Sequence, residues 1–186
     1  WDFDSGARLL DWGAHTVDLC QWANQADDTG PIEFEPGEKT INAKYANGVK
    51  LVLDCLETPF GERPGWITPL GTCPVRFVGD EGWVETGDSG NMTLYPDKLR
   101  SEKKIFTEAG TTSRRHVREF LDCVKSRSQP RASASVAANS HIVCHAAYIA
   151  WQLGREVEWD HENRQFIGDD EANRMRSRAL REPWHI

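Results

Sequence analysis

Leu9, Leu10, Trp12, Gly13, Ala14, Val17, Leu19, Cys20 and Ala23 put apolar or small side chains around most of a helical circumference. Asp11, His15, Asp18 and Trp22, spaced by four, three and four, occupy the strip that is left. The pattern predicts a helix from just after Ser5-Gly6 to about Asn24, with Ser5 placed to cap its free amides and most of its sides buried. A polar loop holding Asp27, Asp28, Gly30 and Pro31 ends it. The period then shortens to that of strands over Lys39 to Tyr45 and Val49 to Leu56, separated by Asn47-Gly48, the dipeptide of a tight hairpin.

Between Thr58 and Pro74 the breakers Pro59, Gly61, Pro64, Gly65, Pro69, Gly71 and Pro74 predict a long loop. A second hairpin follows, Val75 to Val78 and Trp83 to Glu85 around a turn at Gly79-Asp80-Glu81-Gly82, and Met92 to Tyr95 adds a short strand. Two helices come next. Arg114 to Arg127 carries Val117, Phe120, Leu121 and Val124 on one side, and Ser135 to Leu153 is apolar nearly all round. A strand at Val157 to Trp159 and a charged helical turn over Asp169 to Arg176 close the pattern. Helix, antiparallel strands, then helices read as an α+β fold whose sheet is covered on one face.

Length allows one sizeable core, and a single domain is the expectation. The first residue is Trp1, which suggests a piece of a longer protein, and nothing near it resembles a signal peptide or a membrane span. Acidic residues exceed basic ones by 29 to 22, for a formal charge of -7, so phosphate backbones and anionic lipids are repelled and neither nucleic acid nor membrane is an expected partner. Arg114, Arg115 and Arg118 share their helix with Glu119 and Asp122 and read as a solvated mixed-charge face. The five cysteines, Cys20, Cys55, Cys73, Cys123 and Cys144, form no C-x-x-C pair and sit mostly among apolar neighbours, as reduced core thiols do; a cytoplasmic location is expected, or an exported one if an upstream leader exists.

The chemistry concentrates on the first helix. Two carboxylates and an imidazole on one strip of an otherwise apolar helix are expected in a partly desolvated groove, a costly placement unless the groups pair or work. An aspartate one turn from a histidine can hold a ring nitrogen, fix its tautomer and raise its basicity. Asp11 and His15 therefore read either as a general-base pair or as a structural hydrogen bond, and Asp18 as a residue that fixes local structure.

The segment Ser5-Gly6-Ala7-Arg8-Leu9-Leu10-Asp11-Trp12-Gly13-Ala14-His15-Thr16-Val17-Asp18 resembles the D-x-G-x-H-x-x-D helix that opens the second domain of the Gfo/Idh/MocA oxidoreductases. Phe120-Leu121-Asp122-Cys123-Val124-Lys125-Ser126-Arg127 with Gln129-Pro130, and Gln152-Leu153-Gly154-Arg155-Glu156-Val157, are similar to that family's closing helices and last strand. The resemblance implies that residues 1–186 form a C-terminal substrate-binding and oligomerisation domain, separated here from its N-terminal Rossmann domain. The implied fold is like the C-terminal domain of dihydrodipicolinate reductase: a large, mostly antiparallel, open-faced sheet with helices on one face, the other face pairing subunits into a homo-oligomer. The implied reaction is hydride transfer between a sugar or polyol alcohol and NAD or NADP, with His15 taking the alcohol proton and Asp11 orienting His15 and binding a substrate hydroxyl. Glycoside cleavage through transient use of NAD, and a non-catalytic sensing or dimerising role, are the alternatives within the same resemblance. Only Gly6 stands where the family has a run of glycines, and the lysine of its first-domain E-K-P motif has no counterpart, since Glu38-Lys39 runs into Thr40 at a strand entry.

No G-x-G-x-x-G follows a strand, and Gly79, Gly82, Gly87 and Gly90 belong to hairpin turns, so the chain alone is expected neither to hold NAD tightly nor to turn over substrate. His141 and His145 have a metal-compatible spacing beside Cys144, yet they lie on a core helix without the glutamate of a zinc protease, and no metal is expected. His116, His161 and His185 read as surface or partner-contact residues. Trp12 and Trp66 are candidates for a sugar-lining aromatic, and Trp83 for an oligomer surface, although core packing is the commoner use of tryptophan.

Overall fold

The computed structural model describes residues 7–54, 73–87, 91–101, 113–178 and 180–183. The chain divides into two compact units, Trp1–Pro59 with Ala138–Ile186, and Phe60–Ala137. In the first, α1 (Ala7–Leu10) and α2 (Trp12–Ala23) precede β1 (Glu33–Pro36), β2 (Ile41–Lys44) and β3 (Lys50–Leu53). Helix α5 (Ala134–Leu153) begins just before the return to this unit, and β7 (Val157–Asp160), β8 (Gln165–Phe166) and α6 (Asp170–Arg174) complete it. The five strands form one antiparallel sheet in the order β3-β2-β1-β7-β8.

One face of that sheet carries the core. Phe34, Ile41, Ala43, Leu51, Leu53, Val157, Trp159 and Phe166 point inward and meet Leu9, Leu10 and Val17 from α1 and α2 and Val143, Cys144, Ala147 and Ala150 from α5. Alternation then turns Asn42, Lys44, Val52 and Glu158 to the other, exposed face, where Lys44 Nζ donates to Glu33 at 3.0 Å. The expected α+β fold, with an open antiparallel sheet and helices on one side, is what the chain adopts.

The second unit holds β4 (Val75–Gly79), β5 (Gly82–Thr86), β6 (Met92–Tyr95), α3 (Lys98–Ser101) and α4 (Ser113–Ser126). Its strands make a three-stranded antiparallel sheet, β4-β5-β6, so among the described residues the strands lie in two sheets rather than in a single large one. Gly82 adopts φ +152, and a Cβ there would lie 1.9 Å from the carbonyl oxygen of Tyr95, so only glycine closes this hairpin against β6. Helix α4 does gather Val117, Phe120, Leu121 and Val124 on one side, but that side is exposed, Phe120 at 55%. No helix among the described residues is long and apolar enough to cross a membrane.

Three departures from the sequence reading have physical causes. Strand β1 replaces part of the expected loop: Glu-Phe-Glu-Pro reads as polar, yet burying the single Phe34 is enough to hold it between β2 and β7. Strand β8 and helix α3 are too short to leave a period. The single helix expected from just after Ser5-Gly6 to about Asn24 is broken at Asp11, which takes φ -91 and ψ -87 between α1 and α2. Ser5 and most of the expected long loop lie outside the described residues, as do Cys55, Trp66 and His185.

Candidate active site

Helix α2 is positioned by what it buries. Val17 and Gln21 are fully enclosed, and Gln21 is bound at every polar atom of its amide. Its Nε2 donates to the carbonyl oxygens of Ala26 at 2.9 Å and Thr29 at 2.6 Å, and its Oε1 accepts from the Tyr45 hydroxyl at 2.5 Å. Sequence reasoning missed this residue, because an amide on an apolar face gives no periodic signal. Beyond Ala23 the chain turns through Asn24 and Gln25, the latter at φ 54, and Asn139 Nδ2 on α5 donates to the Asp27 carbonyl at 2.7 Å. Ser140, the next residue of α5, is buried and donates to Asp18 Oδ1 at 2.7 Å. Asp18 thus fixes α2 against α5, the local structural role expected of it.

These anchors set the rotation of α2, so the strip of Asp11, His15, Asp18 and Trp22 faces outward. All four residues are exposed, Trp22 at 68%. The partly desolvated groove expected around them is not formed by the described residues: the buried side of α2 is occupied by β-sheet and α5, and the strip is the side left over. Asp11 occupies the N-cap position of α2 and its side chain makes no capping hydrogen bond, leaving the carboxylate uncommitted at the helix start. No hydrogen bond joins Asp11 to His15 among the described residues. The His15 ring meets that of Trp12, the centroids 6.0 Å apart and the planes tilted by 46°.

The other candidates separate cleanly. His141 and His145 stand with ring centroids 6.4 Å apart on the exposed side of α5, while Cys144 is buried in the core, so the three do not converge. Burial and the neighbouring His141 lower the His145 pKa. No group of three or more metal-ligating side chains occurs among the described residues. His161, expected at the surface, is half-buried instead; its Nδ1 accepts from Trp159 Nε1 at 3.3 Å, and its ring packs beside Gly30. Burial and then Arg164 lower its pKa.

Cys20, Cys123 and Cys144 are free thiols. Burial pushes Cys20 up to about 11 and Cys144 up to about 12, so neither is a nucleophile at neutral pH. In the second unit the indole of Trp83 stacks on Tyr95 at 6.1 Å, and the Arg76 guanidinium lies 5.0 Å above it while Arg76 Nε donates to Glu85 at 2.6 Å. Arg114, Arg115 and Arg118 line a shallow depression on α4 together with Glu119, Asp122 and Cys123, the mixed-charge face that the sequence suggested.

Every strand pairing among the described residues is antiparallel, so none belongs to a strand-helix-strand crossover of the kind that cradles a dinucleotide. The described residues do not fit a dinucleotide on their own. Comparison with curated proteins and with solved structures finds no match. Residues 95–186 match the family described as "Oxidoreductase family, C-terminal alpha/beta domain", a stretch that covers α3 to α6 and leaves Asp11 and His15 outside it. Residues 95–186 are thus similar to the C-terminal alpha/beta domain of the Gfo/Idh/MocA oxidoreductase family.

Proposed function

We propose that this domain supplies the acid-base half of an NAD(P)-dependent alcohol oxidation, with a sugar or polyol as the substrate and His15 as the general base. The observation that carries the reading is the outward-facing pair Asp11 and His15, one helical turn apart on a helix whose buried side is locked by Val17 and Gln21 and which Asp18 ties to α5. A rigid helix holding two uncommitted polar groups in solvent can present them to a substrate without rebuilding the core. In this reading the family's N-terminal domain would hold NAD(P), which would supply the hydride acceptor.

The residues of this chain then handle the proton. The imidazole of His15 takes the hydroxyl proton as the carbon-oxygen bond becomes a carbonyl, and the resulting imidazolium is stabilised by the Asp11 carboxylate. Asp11 reaches His15 by rotating its side chain, which no capping bond restrains. The same reading has the exposed face of the five-stranded sheet, with Val52 on its edge strand β3, pairing two copies of the protein.

The test is NAD(P)H formation by the full-length protein over a panel of sugars and polyols. His15→Ala should lower kcat by about 100-fold to 10,000-fold, the range removed with a general base, and Asp11→Asn by less. A full-length enzyme whose rate is untouched by His15→Ala sinks the assignment. Binding of cofactor and sugar with no turnover at all would point to a sensing role instead.

A further inference from the structure

We propose that His141 and His145 form a two-imidazole site for a late first-row divalent ion of the zinc or copper class, set on the exposed side of α5 and completed by solvent. The proposal stands apart from the acid-base reading of Asp11 and His15 and uses none of its residues.

The helix supplies the geometry. Residues four apart lie one above the other with Cβ atoms about 5–6 Å apart, so both rings project from one strip. That strip is fixed from behind, because Asn139, Ser140, Val143, Cys144, Ala146 and Ala147 around it are all buried. Both histidines sit well inside the 20-residue α5, away from ends that fray, and both are exposed, which leaves room for an ion and its waters. Their ring centroids lie 6.4 Å apart with the planes at 39°. Imidazole nitrogens bind zinc at about 2.0–2.1 Å, which puts the ring centroids of a tetrahedral pair about 5 Å apart. Side-chain rotation that moves the rings about an ångström closer closes the clamp without moving the backbone.

The chemistry of the pair agrees. Among the described residues neither imidazole has a hydrogen bond or an ion pair, and each has the other as a ring neighbour. Burial and then His141 lower the pKa of His145, so its ring is neutral and has a lone pair to give at neutral pH. Two adjacent imidazoles resist taking two protons, but they can share one cation. Nitrogen ligands of this kind suit zinc, nickel and copper, whereas magnesium and calcium prefer oxygen. Cys144 faces the core and no third ligand joins the pair among the described residues, so the site is an open two-ligand chelate of micromolar strength that holds copper more tightly than zinc.

The experiment is calorimetric titration of the tag-free full-length protein with zinc chloride and copper chloride, with magnesium chloride as the oxygen-preferring control. Wild type is compared with His141→Ala, His145→Ala and His116→Ala, the last removing an exposed histidine from α4. Zinc should bind the wild type and His116→Ala alike and each of the other two variants at least about tenfold more weakly, because a chelate lost from either end leaves a single ligand. Magnesium should give no heat of binding. In thermal melts the four proteins should match without metal, and zinc should raise the melting temperature of the wild type and His116→Ala alone. The copper spectrum by electron paramagnetic resonance should show two imidazole nitrogens in the wild type and one in His141→Ala or His145→Ala. No saturable zinc binding by the wild type, binding that survives in both variants, a loss confined to one of them, or a single nitrogen ligand in the wild-type copper spectrum overturns the proposal.

Discussion

At the scale of single residues, Gln21 shows how a polar side chain can be a core residue. Its amide answers two carbonyls of the turn after α2 and the Tyr45 phenol; its loss would deprive the Thr29 carbonyl and the Tyr45 hydroxyl of this partner, while the Ala26 carbonyl keeps the Thr29 amide. Gln21→Leu should therefore destabilise the protein by about 2–4 kcal/mol, although it adds apolar surface, while Tyr45→Phe should cost about 1–2 kcal/mol. A double-mutant cycle by urea denaturation checks this, and additive losses would show that the hydrogen bond is not coupled. The helical strip of Asp11, His15, Asp18 and Trp22 was legible in the sequence because spacing alone dictates a shared face. Which way the strip faces was not legible, because rotation depends on Gln21 and on the Ser140 to Asp18 bond between residues 122 positions apart.

At the scale of elements, α6 hangs on a compact ionic knot. Asp169 accepts from the Ala172 amide at 3.0 Å as the helix cap, and both its oxygens bond the Arg155 guanidinium, which also reaches Glu171 at 3.1 Å. The Arg155 hydrogen bond, followed by the Ala172 amide, holds the Asp169 carboxyl down to about 2 from its ordinary 3.8. With the folded-state pKa depressed, the stabilisation is complete above the unfolded value and fades as pH falls from about 3.8 toward 2. Asp169→Asn should accordingly melt below wild type at neutral pH, and the gap should close over that acid window in thermal scans. A gap that persists to the acid end would mean the cap, not the charge, carries the effect.

Hairpin β4–β5 illustrates the opposite case, an element fixed by shape. Gly82→Ala forces a Cβ into the Tyr95 carbonyl at a backbone angle alanine avoids, and should destabilise the three-stranded sheet by more than about 3 kcal/mol. Amide exchange confined to β4, β5 and β6 would read that loss. Both hairpins were legible from their turn residues, Asn47-Gly48 and Gly79 to Gly82, which impose their angles locally. Strand β1 was not, since its place between β2 and β7 is decided by partners distant in sequence.

At the scale of the whole molecule, the α+β class followed from the order of periods, while the division into five- and three-stranded sheets depends on pairings that no local pattern encodes. If the five-stranded sheet pairs subunits through its exposed face, a charge at the exposed apolar position on its edge strand β3 should weaken the pairing. Val52→Glu, at a position 56% exposed in the single chain, should cost the monomer little and shift full-length protein toward monomer in sedimentation velocity. An unchanged sedimentation coefficient would place any self-association elsewhere.

The two most enclosed thiols among the described residues carry a use of their own. Cys144 lies in the first compact unit and Cys73 in the second, each less than a tenth exposed. A maleimide can reach either sulfur only after its surroundings open, so alkylation followed by peptide mass mapping converts each cysteine into a clock for one half of the chain. Two clocks running at one rate would mean the halves breathe together, and two different rates would rank them.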